Sequence, residues 1–168
     1  YHAGERPPGR LALYDALDRW TSLAGGRLAV SRPILARLPW GGVLAPNFVA
    51  VPPPVATSEQ PGSVAFVGRL SPEKGPDLFC RLAAEVDGVR CEMFGDGPLR
   101  VACEAAAEGR VHFRGAVPGM AGAWEGIGLL AVTSRAEGLP LAALEAMARG
   151  IPVAGFAVGG LPALLTDG

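Results

Sequence analysis

The stretch EGLPLAALEAMARGIPVAGFAVGG, residues 137–160, contains a turn, a helix and the start of a strand. The run AVTS before it, residues 131–134, follows two leucines and has the apolar, β-prone character of a buried parallel strand. Pro140 suits the first helical position, where its missing N–H costs nothing, and Gly150 and Pro152 are typical of a helix end. The order strand, helix, strand predicts an α/β fold: a parallel sheet with flanking helices.

Two carboxylates flank the turn and the helix. Glu137 and Glu145 are separated by seven residues. Open amides at a helix N-terminus suit a phosphate, and acids directed into the same cleft suit sugar hydroxyls, so the segment points to a nucleotide-sugar. In the alternative interpretation, Glu137 is only an acid near the positive end of a helix.

The helix itself is predicted to pack through Leu141, Leu144 and Ala148, which recur at helical spacing and would face the sheet. Glu145 would border that apolar stripe, where a carboxylate is costly to desolvate unless something hydrogen-bonds to it. A ribose diol would do so. The alternative is an exposed i,i+4 pair between Glu145 and Arg149.

A second motif, VAFVGRLSPEKG, occupies residues 64–75. Residues 64–67 are predicted to form a buried strand, and Gly68 to let the chain turn towards a helix at 76–86. Arg69 and Lys74 lie on the intervening loop, at the sheet edge where ligands bind in open α/β folds. Two cations there could meet a diphosphate, arginine through its planar fork and lysine as a point charge. The alternative is a solvated surface loop.

Together the two segments resemble the donor site of the large retaining glycosyltransferase family 4, whose members share the two-domain GT-B architecture. The positions that match the family pattern are Gly68-Arg69, Glu73-Lys74-Gly75, Glu137, Glu145, 147–150, Pro152-Val153, Gly159-Gly160, Leu161-Pro162 and 166–168. The resemblance implies a Rossmann-like donor domain and a glycosyltransferase activity.

The resemblance also implies the role of each residue. Glu137 would contact the transferred sugar, Glu145 the ribose, and Arg69 and Lys74 the diphosphate, so that Glu137, Arg69 and Lys74 are the predicted catalytic residues. The predicted donor-binding residues are Gly68, Arg69, Lys74, Gly115, Val117, Glu137, Gly138, Leu139, Pro140 and Glu145. The nucleoside-diphosphate sugar is the substrate, and neither a metal ion nor a cofactor is expected.

Two further strands are predicted between the motifs, at 89–94 and 111–113, each followed by glycine. A glycine there lets the backbone approach a ligand closely, although ordinary turn chemistry explains it equally well. By the family resemblance, Gly115, Ala116 and Val117 are base-pocket candidates. Gly95 and Gly97 lack a third glycine, since Arg100 stands in its place, which argues against a nicotinamide dehydrogenase.

The first third of the chain resembles the end of the family's acceptor domain. An amphipathic helix is predicted at 9–23, strands at 27–31 and 43–48, and a helical turn at 33–38. His2, Ser31 and Asn47 match family positions, although Phe48 replaces the usual glycine after Asn47. The predicted domains are an acceptor-side remnant at 1–51, a Pro-rich linker at 52–62, and a donor domain at 63–168 without its last elements.

The composition of the chain limits the classes of protein to which it can belong. The chain has 168 residues, 49% of them hydrophobic, and a net charge of −1, so it has no electrostatic footprint for nucleic acid. Cys80, Cys91 and Cys103 fall inside predicted helices or strands and are expected to be buried free thiols. No bilayer-spanning run or signal peptide is visible, which predicts a cytoplasmic protein. Family members are roughly twice as long, which suggests a fragment.

The function predicted from the sequence is therefore transfer of a sugar from a nucleoside-diphosphate sugar, with retention of configuration and without a metal. The expected acceptor is a sugar, a lipid-linked glycan or a small molecule, and the missing domain could bring peripheral membrane association. One alternative is a non-catalytic nucleotide-sugar-binding domain or partner subunit. Another is a nucleotide-sugar epimerase or a phosphorylase of the same architecture.

Overall fold

A computed structural model describes residues 26–38, 41–52 and 63–165. Its chain forms two compact units. The first, here called the N-terminal unit, comprises Tyr1–Asn47, Ala136–Pro140 and Ala157–Gly168, and the second, the sheet unit, comprises Phe48–Arg135 and Leu141–Phe156. The domain boundaries expected from the sequence stay a prediction. His2, the helix expected at 9–23 and nearly all of the linker lie outside the described residues.

The N-terminal unit contains β1 (Leu28–Ala29), α1 (Arg32–Leu35) and β2 (Val43–Leu44). The two strands pair in parallel at two positions. Both are shorter than predicted. After β1 ends at Ala29, Ser31 is already the N-cap residue of α1, which begins at Arg32, and Pro46 has no N–H with which to continue a ladder after β2.

Among its described residues, the sheet unit holds five strands and three α-helices. They are β3 (Ser63–Val67), α2 (Pro76–Glu85), β4 (Cys91–Phe94), α3 (Arg100–Ala107), β5 (Val111–Gly115), β6 (Ile127–Val132), α4 (Leu141–Met147) and β7 (Val153–Gly155). The parallel sheet and its flanking helices confirm the predicted fold class. Most boundaries moved by one or two residues: β4 starts at Cys91, β5 continues to Gly115, and Pro140 stands one residue before α4. The strand expected at 131–134 lies earlier in the chain, since β6 runs from Ile127 to Val132.

All five strands run parallel in the order β5-β4-β3-β6-β7. From β3 the chain adds β4 and β5 on one side, and then returns to add β6 and β7 on the other. The topological switch point therefore lies between β3 and β6. In open α/β sheets the crevice outside the carboxyl ends of the strands at such a point is where ligands bind.

One face of the sheet carries the main core. Phe66 on β3 pairs in register with Met93 on β4, and Phe79 from α2 packs on Phe66 with ring centroids 5.9 Å apart. Cys103 and Ala107 on α3 complete the cluster. Burying each large side chain of this kind contributes about 1.5–3 kcal/mol, so this face anchors the loops that follow β3 and β4.

The three cysteines belong to this core, and the structure confirms that each is a buried free thiol. Among the described residues, no helix has the length and apolar character needed to cross a membrane.

Helix α4 packs differently from the prediction. Ala143 and Ala146 are its fully buried side chains, whereas Leu141 is 50% exposed. The helix contacts β6 and β7. Small alanine side chains let a helix lie close to a sheet, so the buried stripe runs through the alanines rather than through Leu141, Leu144 and Ala148.

The opposite face of the sheet buries one carboxylate. Ser63 donates to Glu92 Oε2 at 2.5 Å, and Arg114 donates to Oε1 from Nε at 2.8 Å and from Nη2 at 2.5 Å. Burial raises the pKa of Glu92, but these hydrogen bonds and the charges of Arg90 and Arg114 outweigh it and hold the pKa below its ordinary value. The acid is fully partnered and ties β3, β4 and β5 together.

Candidate functional site

The loop that follows β3 is packed backbone to backbone against the loop that follows β4. Gly68 N donates to Phe94 O at 3.0 Å, Leu70 N to Asp96 O at 3.0 Å, and Leu99 N to Leu70 O at 2.9 Å. These bonds fix the start of the loop that carries Arg69 and Lys74.

Glycines make that close packing feasible. A Cβ on Gly95 would lie 1.9 Å from Gly68 O, and one on Gly97 would lie 2.6 Å from Leu70 O. For these two positions the structure supports turn and packing chemistry rather than approach to a ligand. Gly68 itself has ordinary room for a Cβ, with the Phe66 ring 3.7 Å away and no left-handed φ, so the turn predicted there does not require glycine.

The far end of the same loop is packed against the residues that follow β6. Gly75, at φ +64°, is so close that a Cβ would lie 2.1 Å from Thr133 O. Thr133 Oγ1 donates to Gly75 O at 2.9 Å, Ser134 Oγ to Lys74 O at 3.4 Å, and Arg135 N to Glu73 O at 2.8 Å. The backbone around Lys74 is therefore fixed from the β6 side of the switch point.

One arginine reinforces this arrangement. Arg135 makes a bidentate pair with Asp77, at 2.8 and 2.6 Å, and its Nη1 also donates to Pro72 O at 2.9 Å. The hydrogen bond from Arg135 is the main cause that lowers the pKa of Asp77. A guanidinium that binds both a helix residue and a loop carbonyl holds the loop in one conformation.

The charges on this loop lie close together. Arg69 is exposed and Lys74 is half-buried. Between them, Glu73 has its pKa lowered chiefly by a hydrogen bond from Ser71, and also by the charges of Arg69 and Lys74. The two cations therefore lie near an acid, Glu73, to which the sequence interpretation had assigned no role.

Glu145, on α4, is held by an indole. Trp124 Nε1 donates to Glu145 Oε2 at 3.2 Å. The alternative in which the Glu145 carboxylate pairs with Arg149 is wrong, because Arg149 Nη1 donates to the main-chain oxygen of Glu145 at 2.9 Å and its guanidinium lies 5.7 Å from the Trp124 ring centroid.

The segment from Glu137 to Pro140 belongs to the N-terminal unit, and all four residues are buried. Asn47 Nδ2 donates to Leu139 O at 2.7 Å, and Gly160 N donates to Gly138 O at 2.8 Å. Asn47 thus acts on the backbone of this segment, in spite of the Phe48 replacement beside it. The hydroxyl of Ser31, which is also buried, has no hydrogen-bond partner among the described residues.

The base-pocket candidates lie at the end of β5. Gly115 O accepts a hydrogen bond from Gly95 N at 2.7 Å, Gly115 has φ +73°, and Val117 is 37% exposed. Arg100 approaches the place where a Gly115 Cβ would stand to within 3.5 Å. These residues continue the edge formed by the loops after β3 and β4.

Within the sheet unit, the structure thus brings Gly68, Arg69 and Lys74 to the switch point and places Gly115 and Val117 along the same edge. The meeting of Arg69, Lys74, Glu137 and Glu145 in a single pocket stays a prediction. Over the described ranges, no three His, Cys, Asp or Glu side chains are grouped to hold a metal ion.

The sequence interpretation missed three residues that hold the candidate site, Asp77, Trp124 and Arg135, and it missed the amide role of Asn47. Asp77 and Arg135 are 58 positions apart, so no local spacing could connect them. For Trp124, the one available signal was a large aromatic residue three positions before a buried strand.

A Rossmann-like parallel sheet with flanking helices defines the class: it is the fold of the C-terminal domain of GT-B glycosyltransferases. This chain belongs to the glycosyl transferases group 1 family, whose sequence model matches residues 61–168.

Curated relatives agree with that assignment. Over 117 residues the chain is 43% identical to a D-inositol 3-phosphate glycosyltransferase of Mycolicibacterium paratuberculosis, an alignment that covers 62% of this chain and 26% of the relative. It is 40% identical over 120 residues to the protein of the same name from Mycobacterium tuberculosis strain F11, covering 62% of this chain and 24% of the relative. The chain thus spans about a quarter of the length of these relatives.

Solved structures share the fold. A TarM mutant from S. aureus, in complex with Fondaparinux, alpha-GlcNAc-glycerol and UDP, matches with a TM-score of 0.86 at 18% identity, over 99% of this chain and 38% of that one. HepE from Anabaena, in complex with UDP and glucose, matches with a TM-score of 0.78 at 22% identity, over 96% of this chain and 52% of that one.

Proposed function

We propose that this chain binds the donor of a glycosyltransferase that moves a sugar from a nucleoside-diphosphate sugar to an acceptor, with retention of configuration and without a divalent metal. Membership of the glycosyl transferases group 1 family supports the transfer reaction. The donor role rests on one observation: the loop with Arg69 and Lys74 occupies the switch point and is fixed at both ends by backbone hydrogen bonds.

In the proposed reaction, the bond between the anomeric carbon of the sugar and the diphosphate oxygen breaks while an acceptor oxygen bonds to that carbon. Negative charge grows on the leaving diphosphate. Arg69 and Lys74 would stabilise that charge from preorganised positions, together with the backbone N–H groups of Gly138 and Leu139. A loop that is already fixed loses little freedom when it binds the anion, which favours this electrostatic role.

Glu137 would position the transferred sugar and Glu145 the ribose hydroxyls. A carboxylate accepts hydrogen bonds from hydroxyl groups, and charged hydrogen bonds of this kind are worth about 1.5–3 kcal/mol each. The proposal requires that Arg69, Lys74, Glu137 and Glu145 act on one donor molecule.

The names of similar proteins suggest which compounds to test first. UDP is present in the TarM and HepE complexes, so UDP is the first nucleotide, followed by GDP and ADP. The relatives named D-inositol 3-phosphate glycosyltransferase make an inositol phosphate the first acceptor to offer.

Calorimetric titration with UDP, GDP and ADP tests the donor role. Arg69→Ala and Lys74→Ala are each expected to weaken binding of the preferred nucleotide by about ten- to a hundredfold, because each removes a charged contact to the diphosphate. Arg110→Ala, which removes an exposed arginine paired with Asp87, is the control. If both loop variants bind as tightly as the parent, the diphosphate assignment is wrong.

Transfer itself is tested with a labelled nucleotide-sugar and inositol phosphate, and the configuration of the product shows whether it is retained. Nucleotide binding without transfer or hydrolysis would favour a donor-binding subunit that lacks activity by itself.

A further inference from the structure

Trp124 occupies an unusual position for a core residue. It begins the short 3-10 turn Trp124–Gly126 that leads into β6, and it is only 2% exposed. Its polar atom nevertheless reaches a side chain of the candidate site, because Nε1 donates to Glu145 Oε2 at 3.2 Å. An indole has one N–H and can only donate, so the contact fixes one particular oxygen of the carboxylate.

Arg149 completes the arrangement. Its guanidinium lies over the Trp124 ring, 5.7 Å from the centroid, and it donates to the Glu145 main-chain oxygen at 2.9 Å. The indole therefore restrains the Glu145 side chain directly. It also makes a cation–π contact with Arg149, and Arg149 in turn binds the Glu145 backbone. We call Trp124, Glu145 and Arg149 the indole cluster.

The consequence concerns the second carboxylate oxygen. Within the described part of the chain, Oε2 of Glu145 accepts the indole hydrogen bond and Oε1 accepts none. Glu145 is only partly buried, and no described residue donates to Oε1 while the indole holds the carboxylate in one orientation. A side chain that binds a ligand is most effective when a neighbouring group holds it in one rotamer.

We infer that Trp124 is a positioning residue that orients the Glu145 carboxylate for the ribose hydroxyls of the nucleotide. The inference rests on the ribose role proposed above for Glu145 and deepens it. It makes a specific claim about chemistry: removal of the indole N–H should impair recognition of the ribose diol more than recognition of the diphosphate.

The test measures ribose discrimination in the 168-residue chain. UDP, GDP and ADP and their 2′,3′-dideoxy counterparts are titrated, and the ratio of the dideoxy Kd to the ordinary Kd is taken for the preferred base. The parent is expected to show a ratio of about ten- to a hundredfold. Trp124→Phe, which keeps an aromatic ring but has no N–H, is expected to lower the ratio by about fivefold or more.

Phe79→Leu is the matched control, since it alters a fully buried aromatic residue of the same sheet unit outside the indole cluster. It is expected to lower Tm while leaving the ratio at the parent value. Adding Trp124→Phe to Glu145→Ala should change the ratio no further, because the indole acts through that carboxylate. If Trp124→Phe does not fold, β-(3-benzothienyl)alanine at position 124 keeps the bicyclic shape and removes only the N–H.

The outcomes separate the two proposals. A parent that binds none of the three nucleotides overturns the proposed function, and the inference with it. A parent that binds a nucleotide without ribose discrimination overturns the role of Glu145 and hence of Trp124. A parent with clear discrimination that Trp124→Phe, or the benzothienyl isostere, leaves unchanged overturns the inference alone.

Discussion

A Cβ atom on Gly159 would lie 1.7 Å from the carbonyl oxygen of Glu137, so Gly159 is in direct backbone contact with the first acid of the candidate site. Gly160 repeats the pattern with the next residue, since its Cβ would lie 2.4 Å from Gly138 O. The two glycines let two segments of the N-terminal unit lie backbone against backbone. This contact gives a physical reason for a Gly-Gly pair so far along the chain from Glu137.

Gly159→Ala is therefore expected to lower the free energy of unfolding more than Gly150→Ala does. Gly150→Ala is the matched control, because Gly150 also has a left-handed φ, +73° against +57°, but has nothing within 4 Å of its Cβ position. Backbone strain costs about 1–2 kcal/mol at either position, and the clash at Gly159 adds about 1–3 kcal/mol or more. Urea denaturation measures the free energy of unfolding of both variants. Equal losses of stability would show that the contact with Glu137 does not constrain the fold.

The strands and the class of fold were predictable because short apolar runs followed by glycine or proline are a local pattern. The same pattern could not tell what each glycine was for. Gly95 and Gly97 serve loop-to-loop packing, and Gly75 serves packing on Thr133, whereas the sequence showed only that glycine follows a strand. Which backbone a glycine approaches depends on strand order, and strand order is a property of the whole sheet.

The candidate site was predictable to the extent that its residues lie in motifs. Arg69, Lys74, Glu137 and Glu145 were found in this way. The residues that support them have no fixed spacing from them: Trp124 contacts Glu145, and Arg135 contacts the loop that carries Lys74. The prediction that α4 packs on the sheet through Leu141 was wrong for a related reason. Helical spacing alone does not say which of two neighbouring stripes of side chains contacts the sheet, and the smaller alanines allow closer packing.

Arg135→Gln is expected to raise the Kd for the preferred nucleoside diphosphate by about three- to tenfold. The change removes the bidentate pair with Asp77 and the bond to Pro72 O, and so loosens the loop that carries Lys74. Stability should fall by less than about 1 kcal/mol, since the pair is half-exposed. Calorimetry and thermal melts separate the two effects.

The control for this variant is Arg110→Gln, which breaks an exposed pair with Asp87 at 3.1 Å far along the chain from the loop. It should leave the Kd unchanged. Equal binding by the Arg135 and Arg110 variants would mean that the Arg135–Asp77 pair does not position the loop.

The same pair gives a prediction about pH. The hydrogen bond from Arg135 holds the pKa of Asp77 below its ordinary value of 3.8. An acid with a depressed folded-state pKa stabilises the fold at pH values above its unfolded pKa, and that contribution is lost as the pH falls through the folded pKa. The stability gap between the parent and Asp77→Asn should therefore be constant from pH 7 to about pH 5 and shrink below pH 3.8.

Urea titrations at several pH values measure this gap, which should not exceed about 1 kcal/mol because both side chains are partly exposed. Asp87→Asn, which removes an acid whose side chain is 92% exposed, controls for the loss of one surface charge. A gap for Asp77→Asn that widens towards acid would have the wrong sign and would refute the account of the pair.

The three thiols should be inert in the folded protein. Burial, with the nearby Cys103, raises the pKa of Cys80 to about 12, and burial also raises the pKa of Cys91 and of Cys103. Since the thiolate is the reactive form, a disulfide reagent at pH 8 should titrate none of them in native protein and all three in urea. Val101→Cys, at a site 78% exposed on the same helix as Cys103, should add one thiol that reacts at once. Rapid native labelling of Cys103 in the parent would show that α3 does not pack on the sheet as described.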